Sequence, residues 1–189
     1  VHGRNVHPGS AKNCMKNAQL IAMEFNALLP VHERPESTEG YEGFSHLCEM
    51  QGEVELARMD YIIRDHDRTR FERRKAQFGE IAAFLNRKYG EGTVEVTLRD
   101  SYYNMREKIE PKLFIVEAAE KAMREAGVTP SIVPIRGGTD GARLSYEGLP
   151  CPNLFTGGEN YHGRFEYVPV EDMQAAVRVL KNILTDAAK

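Results

Sequence analysis

Apolar residues recur every three or four positions in four stretches of the chain, which is the spacing of an amphipathic helix. The four stretches run over Cys14–Leu29, Phe71–Leu85, Phe114–Ala126 and Val170–Leu184. We expect Ser10 to cap the first helix, because its hydroxyl can accept a hydrogen bond from an unpaired backbone N–H. Asp65 or Asp67 is expected to cap the second helix. Pro30 and Pro35 are expected to end the first helix, and Gly90 and Gly92 are expected to end the second.

Short apolar or alternating runs predict strands in the first half of the chain. The predicted strands are Val1–Val6, Phe44–Gln51, Val54–Arg64 and Thr93–Leu98. Gly52 is the expected hairpin turn, and a change in the alternation predicts a β-bulge near Ala57 and Arg58. The order strand, helix, strand, strand, helix, strand is that of a ferredoxin-like domain. We therefore predict a ferredoxin-like βαββαβ domain over residues 1–100.

Residues 101–189 show a different pattern, in which helices alternate with short strands. The short strands are predicted at Ser131–Ile135 and Asn153–Thr156, with a helix over Ala142–Tyr146 between them. Alternation of this kind indicates an α/β layer, and so few strands indicate part of a larger sheet. The predicted fold class is therefore α/β, with an α+β first domain over 1–100 and part of an α/β domain over 101–189.

The composition argues against several classes of protein. Hydrophobic residues make up 41% of the 189 residues, which is ordinary for a globular protein. Lys and Arg number 25 against 28 Asp and Glu, so the net charge of −3 argues against a nucleic-acid partner. The basic run Arg68–Lys75 is interrupted by Glu72 and is interpreted as a solvated helix face. No apolar run approaches the ~20 residues of a membrane span, so we expect no membrane partner.

The three cysteines, Cys14, Cys48 and Cys151, lie far apart along the chain. Their odd number and their spacing favour reduced thiols over disulfides or a metal site, and this predicts a cytoplasmic protein. The chain begins at Val1 in strand-like sequence and without a methionine, so we expect it to be a piece of a longer protein.

Glycine-rich turns beside polar side chains mark Ile135–Glu166 as the candidate site. Glycine allows positive φ angles or a close approach of the backbone to a ligand. The run Arg136-Gly137-Gly138-Thr139-Asp140 lies between a predicted strand and a predicted helix, where backbone N–H groups attract a carboxylate. A glycine turn that is only capped by Thr139 or Asp140 is the alternative.

Two histidines lie in turns of the same kind. His162 follows Tyr161 and precedes Gly163, and a neutral imidazole there can bind zinc through one ring nitrogen. No second His or Cys lies nearby in the sequence, so a hydrogen-bonded structural histidine is the alternative. His7 precedes Pro8-Gly9 and can project into a cleft, and a surface turn histidine is the alternative there.

Six blocks of sequence together resemble one family, the tripeptide aminopeptidases (peptidase T family) of the zinc-dependent aminopeptidase and aminoacylase superfamily. The blocks follow one another through nearly the whole chain: Asn5–Lys12, Thr38–Phe44, Tyr61–Asp65, Asp100–Glu107, Pro134–Ala142 and Asn160–Gly163. Six blocks in the right order make a highly specific signal. The resemblance implies that residues 1–100 are the lid domain and that 101–189 are the C-terminal part of the catalytic domain.

The resemblance also implies roles for individual residues. On it, His162 is a zinc ligand, and His7 is the lid histidine that reaches a catalytic site across a dimer and stabilises the oxyanion. The positions that match the substrate cleft are Arg64, Asn104, Arg136, Gly138, Thr139 and Asp140. The resemblance further implies two zinc ions in each intact subunit, tripeptide substrates and a homodimer formed through the lid.

The family's other metal ligands and its general base do not occur in this sequence. They are a His-x-Asp pair, a bridging Asp, an adjacent Glu pair and a further Asp. Because these groups activate water at neutral pH, we expect residues 1–189 alone to be inactive. Two alternatives are a related amidohydrolase, such as an aminoacylase or dipeptidase, and a non-catalytic ferredoxin-like dimerisation module.

Overall fold

The structure is a computed structural model that describes all residues from Val1 to Lys189. The chain forms two units, of which the first contains Val1–Tyr103 and Pro134–Gly137 and the second contains Asn104–Val133 and Gly138–Lys189. The elements in chain order are helix α1 (Ala18–Leu28), strands β1 (Phe44–Gly52) and β2 (Ala57–Arg64), and helices α2 (Arg68–Tyr89), α3 (Arg106–Ile109), α4 (Phe114–Glu125), α5 (Asp140–Tyr146) and α6 (Val170–Ala187). Short 3₁₀ turns lie at Pro8–Ser10, Val31–Glu33, Pro35–Ser37 and Glu110–Lys112.

Helix α1 begins later than the sequence predicts. The carboxamide of Asn17 accepts hydrogen bonds from the backbone N–H groups of Gln19 and Leu20, so Asn17 is the cap. The expected cap Ser10 is wrong, because Ser10 instead ends a 3₁₀ turn. Asn13 follows with a φ of 61°, a left-handed conformation that cannot continue a helix.

Helix α2 begins and ends where its local signals indicate. Asp67 caps it by accepting a hydrogen bond from the Arg70 N–H. Gly90 ends it with a φ of 107°, which glycine adopts without the strain that a Cβ would add. The alternative cap, Asp65, has a different role in the structure and is described below.

Strands β1 and β2 form an antiparallel hairpin in which Phe44 pairs with Arg64 and Gly52 pairs with Ala57. The register shifts once, between Leu47 and Glu49, so the irregularity lies in β1. The bulge predicted near Ala57 and Arg58 is therefore wrong. The change in alternation that suggested it arises because β2 begins only at Ala57, so the preceding apolar residues belong to the turn.

The other two predicted strands of the first unit form only isolated backbone contacts. The His2 N–H donates to the Thr93 carbonyl at 2.7 Å, and the Gly3 N–H donates to the Glu55 carbonyl at 2.7 Å. Neither Val1–Val6 nor Thr93–Leu98 continues these contacts into a ladder, and the sheet has two strands. The ferredoxin-like arrangement accordingly stays a prediction.

The core of the first unit lies where α1, α2 and β2 meet. Its buried residues are Ile21, Phe25, Leu29, Phe78, Ile81, Ala82, Leu85 and Val94. The rings of Phe25 and Phe78 have centroids 5.7 Å apart, and Tyr61 meets Phe78 edge-on at 5.1 Å. Burial of each such side chain contributes about 1.5–3 kcal/mol, so this aromatic group fixes both helices on β2.

The second unit consists of helices joined by segments without regular secondary structure. Helices α4 and α6 pack together around Ala122 and Val179, which are both buried. The predicted strands Ser131–Ile135 and Asn153–Thr156 form neither a strand nor a helix in the structure. Neither segment belongs to the sheet of the structure, which consists of β1 and β2.

No helix of the structure combines the length and the apolar character that crossing a membrane requires.

Candidate functional site

The turn that follows His7 holds its neutral imidazole in one tautomer. Its Nδ1 accepts a hydrogen bond from the Gly9 backbone N–H at 3.1 Å. A nitrogen that accepts carries no proton, so the neutral ring carries its proton on Nε2. The side chain is exposed at the start of the Pro8–Ser10 turn. His7 is therefore arranged to present an Nε2–H donor to another group.

Arg64 ends strand β2, where it pairs with Phe44 across the hairpin. Its guanidinium lies 5.4 Å from the centre of the Tyr102 ring, which is within the range of a cation–π contact. The structure gives this guanidinium no carboxylate partner. Its charge is accordingly available to an anionic ligand.

Asp65, the residue after Arg64, anchors the end of β2. Its side chain is fully buried and accepts a hydrogen bond from Arg74 Nε at 3.1 Å. Arg70 Nε lies 3.4 Å from the same carboxylate. Arg74 also binds Glu33 in the Val31–Glu33 turn, so one buried guanidinium joins β2, α2 and that turn.

Within the run Arg68–Lys75, the side chains of Arg68, Arg70 and Arg73 are exposed, as expected for a solvated helix face, but Arg74 is buried. Arg74 is only 7% exposed, because it turns toward Asp65 and Glu33 instead of toward water. The one signal in the sequence for this ion pair was Asp65, the last residue of the block that contains Arg64. Nothing in the linear order identifies its partner nine residues further on.

The loop between Thr38 and Phe44 is held by contacts from two sides. Arg136 donates to the carbonyl and the hydroxyl of Thr38 and to the Glu42 carbonyl, and its guanidinium lies 5.0 Å from the Phe44 ring centre. A Cβ on Gly43 would lie 2.2 Å from Asp65 Oδ2, so only glycine fits there. Arg136 thus acts on the protein's own backbone, and only its buried Nε lacks a partner.

His66 supports the same loop. Burial lowers the pKa of its imidazole, an effect that the nearby Asp65 carboxylate partly offsets. Its ring lies 5.1 Å from that of Tyr41, edge to face. The loop therefore rests on a histidine that favours its neutral form.

A second polar group fixes the segment from Asp100 to Tyr103. Lys75 Nζ lies 2.8 Å from Asp100 Oδ2, and the Lys75 ammonium lowers the pKa of the Asp100 carboxyl. The Tyr103 hydroxyl also lies 3.1 Å from Asp100, and its ring meets Phe71 edge-on at 5.8 Å. These contacts hold the chain on α2, immediately beside the Tyr102 ring that Arg64 approaches. No pattern in the sequence indicated this role of Lys75.

In the second unit, Asn104 is bound to neighbouring backbone and side chains. Its Oδ1 accepts from the Arg106 N–H at 3.0 Å, and its carbonyl accepts from the Tyr146 hydroxyl at 3.1 Å. These contacts join the start of α3 to the end of α5.

The Gly138-Thr139-Asp140 turn takes the capped form that the sequence left open. Thr139 Oγ1 accepts from the Ala142 N–H at 3.2 Å, and Asn153 Nδ2 donates to the same oxygen at 3.2 Å. Asp140 is the first residue of α5. A Cβ on Gly141 would lie 2.5 Å from the Cys151 carbonyl, so α5 packs closely on the following segment.

His162 lies in a turn with a φ of 64°, a conformation uncommon for a residue with a side chain. Its backbone N–H donates to Glu166 Oε2 at 2.8 Å, and the imidazole is exposed. No three His, Cys, Asp or Glu side chains of residues 1–189 converge on a possible metal position. The chain therefore offers His162 as a single donor and does not by itself fit a zinc ion.

The sequence matches the family model described as peptidase family M20/M25/M40 over residues 7–186. It is similar to peptidase T of Clostridium perfringens, with 61% identity over 184 residues, 97% of this chain and 45% of that protein. Peptidase T of Alkaliphilus oremlandii is 57% identical over the same shares of both chains. The chain thus spans about half the length of the curated relatives that it matches.

Two solved structures resemble the fold. Aminopeptidase PepT from Bacillus cereus matches with a TM-score of 0.63 and 21% identity, over 100% of this chain and 50% of that one. A tripeptidase from Staphylococcus aureus matches with a TM-score of 0.69 and 20% identity, over 96% of this chain and 48% of that one. These likenesses confirm the mixed α/β fold class.

Proposed function

The chain belongs to peptidase family M20/M25/M40, and we propose on that basis that it forms part of a tripeptide aminopeptidase. The observation that supports this proposal is the 61% identity to a peptidase T across 97% of this chain. The intact protein would remove the N-terminal residue of a tripeptide in the cytoplasm.

His7 is the proposed catalytic donor. Its Nε2–H can donate to the oxygen of the scissile carbonyl, where negative charge develops during attack by water. The Gly9 N–H supports this role, because it keeps Nδ1 as an acceptor and Nε2 as a donor. A donor fixed before the reaction begins stabilises the transition state without reorganisation.

Arg64 is the proposed substrate-binding cation. A tripeptide carries a C-terminal carboxylate, and a guanidinium without a carboxylate partner can bind that group through two parallel hydrogen bonds. Arg136 supports substrate binding by fixing the Thr38–Phe44 loop. Asn104, Gly138, Thr139 and Asp140 are also proposed for substrate binding, because the family resemblance covers their positions.

His162 is the proposed metal ligand. Its exposed imidazole can supply one nitrogen to a zinc site, and the two zinc ions proposed for each intact subunit would supply activated water when bound. Residues 1–189 contain no His-x-Asp and no adjacent Glu pair. We accordingly propose that this chain alone does not hydrolyse peptides.

Residues 1–100 are the proposed ferredoxin-like lid, and residues 101–189 are the proposed C-terminal part of the catalytic domain. Strand β1 pairs only with β2, so its other edge is open. An open edge can pair with another chain, and a two-fold arrangement is the commonest closed one. The proposed assembly is therefore a homodimer through β1.

A substrate comparison tests the proposed activity. An intact protein that contains this chain should release the N-terminal residue of a free-amine tripeptide, with little turnover of an N-acyl amino acid or a dipeptide. Preferential turnover of the N-acyl amino acid would indicate an aminoacylase instead, and preferential turnover of the dipeptide would indicate a dipeptidase.

A further inference from the structure

A cavity of about 210 Å³ lies within the first unit, between the C-terminal end of α1, the Val31–Glu33 and Pro35–Ser37 turns and the middle of the hairpin. It has an apolar wall to which Leu29, Pro30 and Leu47 contribute. Polar side chains from both turns and from the sheet complete the lining. The cavity thus combines an apolar surface with groups that can bind charge.

The cationic group of this cavity is Arg34. Its guanidinium forms no hydrogen bond or ion pair in the structure, although its backbone carbonyl accepts from the Thr38 hydroxyl. The side chain is half-buried and lies near Tyr61, since its charge acts on the pKa of that hydroxyl. A half-buried guanidinium without an anion is a binding group for a carboxylate.

Neutral donors surround the same space. The Tyr61 hydroxyl donates to Asn26 Oδ1 at 3.0 Å, which leaves the Asn26 NH₂ group without an acceptor. Ser45 and His46 on β1 also line the cavity. These donors can complete the hydrogen bonds of a bound carboxylate.

The anionic group is Glu36, which lies two residues after Arg34 and lines the same cavity. Its carboxylate has no cationic partner in the structure. The other acid of the lining, Glu33, is already neutralised by Arg74 and Arg73. One unpaired cation and one unpaired anion therefore remain beside an apolar wall.

We propose that this cavity binds a free apolar α-amino acid. Arg34 receives the carboxylate, Glu36 receives the ammonium group, and the side chain packs on Leu29, Pro30 and Leu47. A volume of about 210 Å³ suits a single amino acid and is too small for a tripeptide. The site involves none of the residues assigned to peptide hydrolysis. A test of this site is therefore independent of the proposed function.

Titration of the ¹⁵N-labelled 189-residue chain with L-leucine, followed by NMR, tests the site. Saturable shifts are expected at the amides of Ser45, His46, Leu47 and Tyr61, with a dissociation constant of about a millimolar for so small a ligand. Leucine amide lacks the carboxylate and 4-methylpentanoate lacks the ammonium group. Each should bind about tenfold or more weakly, as expected for the loss of a hydrogen-bonded charge.

Two variants test whether Arg34 and Glu36 bind the charged groups of the ligand. Arg34→Gln and Glu36→Gln should each weaken L-leucine binding by about tenfold or more. Arg87→Gln and Glu80→Gln change exposed residues on α2 outside the cavity and should bind as the parent does. The amide spectrum without ligand shows whether each variant is folded. A loss of binding counts as evidence only for a variant whose spectrum is that of a folded chain.

Three results would overturn the proposal. The first is the absence of saturable shifts with L-leucine in the parent chain. The second is equal binding of L-leucine and 4-methylpentanoate, which would make the ligand a simple carboxylate. The third is unchanged leucine binding in folded Arg34→Gln or Glu36→Gln protein.

Discussion

Asp65 and Arg74 form an ion pair with 3.1 Å between Oδ2 and Nε, and the side chains are 0% and 8% exposed. Asp65 directly follows Arg64, and Arg74 lies one helical turn after Arg70 on α2. The pair therefore fixes the backbone that carries the proposed substrate-binding cation. It also excludes any side chain at Gly43, whose Cβ would lie 2.2 Å from the Asp65 carboxylate.

Replacing Arg74 with leucine should strongly destabilise the first unit. The Asp65 carboxylate would remain buried without its main partner, and breaking a buried pair in this way costs about 3–5 kcal/mol. Arg70 stays 3.4 Å from the carboxylate, so the lower end of that range is expected. Urea unfolding of the variant measures the loss, and Arg87→Leu on the exposed side of α2 is the control. A change below about 1 kcal/mol would show that the pair acts like a surface salt bridge.

Tyr61 should make stability fall at high pH. Burial raises the pKa of its hydroxyl to about 12, whereas an unfolded tyrosine titrates at about 10. Between pH values of about 10 and about 12, Tyr61 loses its hydroxyl proton in the unfolded chain before it does so in the folded one. The free energy of unfolding therefore falls as the pH rises through this window. Below about pH 10, Tyr61 is protonated in both states and has no such effect. Unfolding free energies measured across this window should fall less steeply in Tyr61→Phe. The exposed Tyr167→Phe is the control and should keep the parent slope.

The open edge of β1 should mediate dimer formation. At about tens of micromolar, a range where weak interfaces are still populated, sedimentation of the 189-residue chain should show a dimer. Met50→Lys places a charge on β1 and should shift the equilibrium toward monomer, because lysine on an edge strand discourages pairing. Met23→Lys changes an exposed methionine on α1 and should leave the dimer intact. A parent chain that sediments as a clean monomer would contradict the proposed interface.

His7 and His162 should affect different properties of the intact enzyme. His7→Ala should retain the full metal content and lose about 10²–10³ in kcat, as for removal of an oxyanion donor, with KM little changed. His162→Ala should lose bound metal together with activity. Metal analysis and steady-state kinetics separate the two effects, and the exposed His32→Ala is the control.

Subunit exchange tests whether His7 acts across the dimer. A mixed dimer of His7→Ala and His162→Ala subunits holds one site with an intact metal ligand and a His7 donated by its partner. Mixing two inactive variants should therefore restore part of the activity. If exchange is verified by mass and no activity returns, His7 does not act in trans.

Local signals in the sequence located the helices better than the strands. Asp67 and Gly90 set the ends of α2 because a cap and a left-handed glycine act within one turn of the chain. Thr139 was among the expected caps of α5 for the same reason. The segment 131–135 reads as a strand but forms no ladder, because a strand depends on a partner that its own residues do not encode.

The candidate site shows the same division between local and distant information. The hydrogen bond from Gly9 to His7 connects residues two apart, within the His-Pro-Gly turn that made His7 a candidate. The contact between Arg74 and Glu33 joins residues 41 apart, and the contact between Arg136 and Thr38 joins residues 98 apart. Patterns in a single sequence do not show which distant residues come into contact. The supporting roles of Arg74, Lys75 and Arg136 are therefore visible only in the structure.

The unpaired segment around Ile132 and Val133 has a practical consequence for anyone who handles this polypeptide. Their side chains are 72% and 65% exposed, and the residues belong to no helix or strand. An exposed β-branched pair outside any sheet is prone to intermolecular cross-β contacts. At high protein concentration, this segment is therefore the expected starting point for aggregation of the polypeptide.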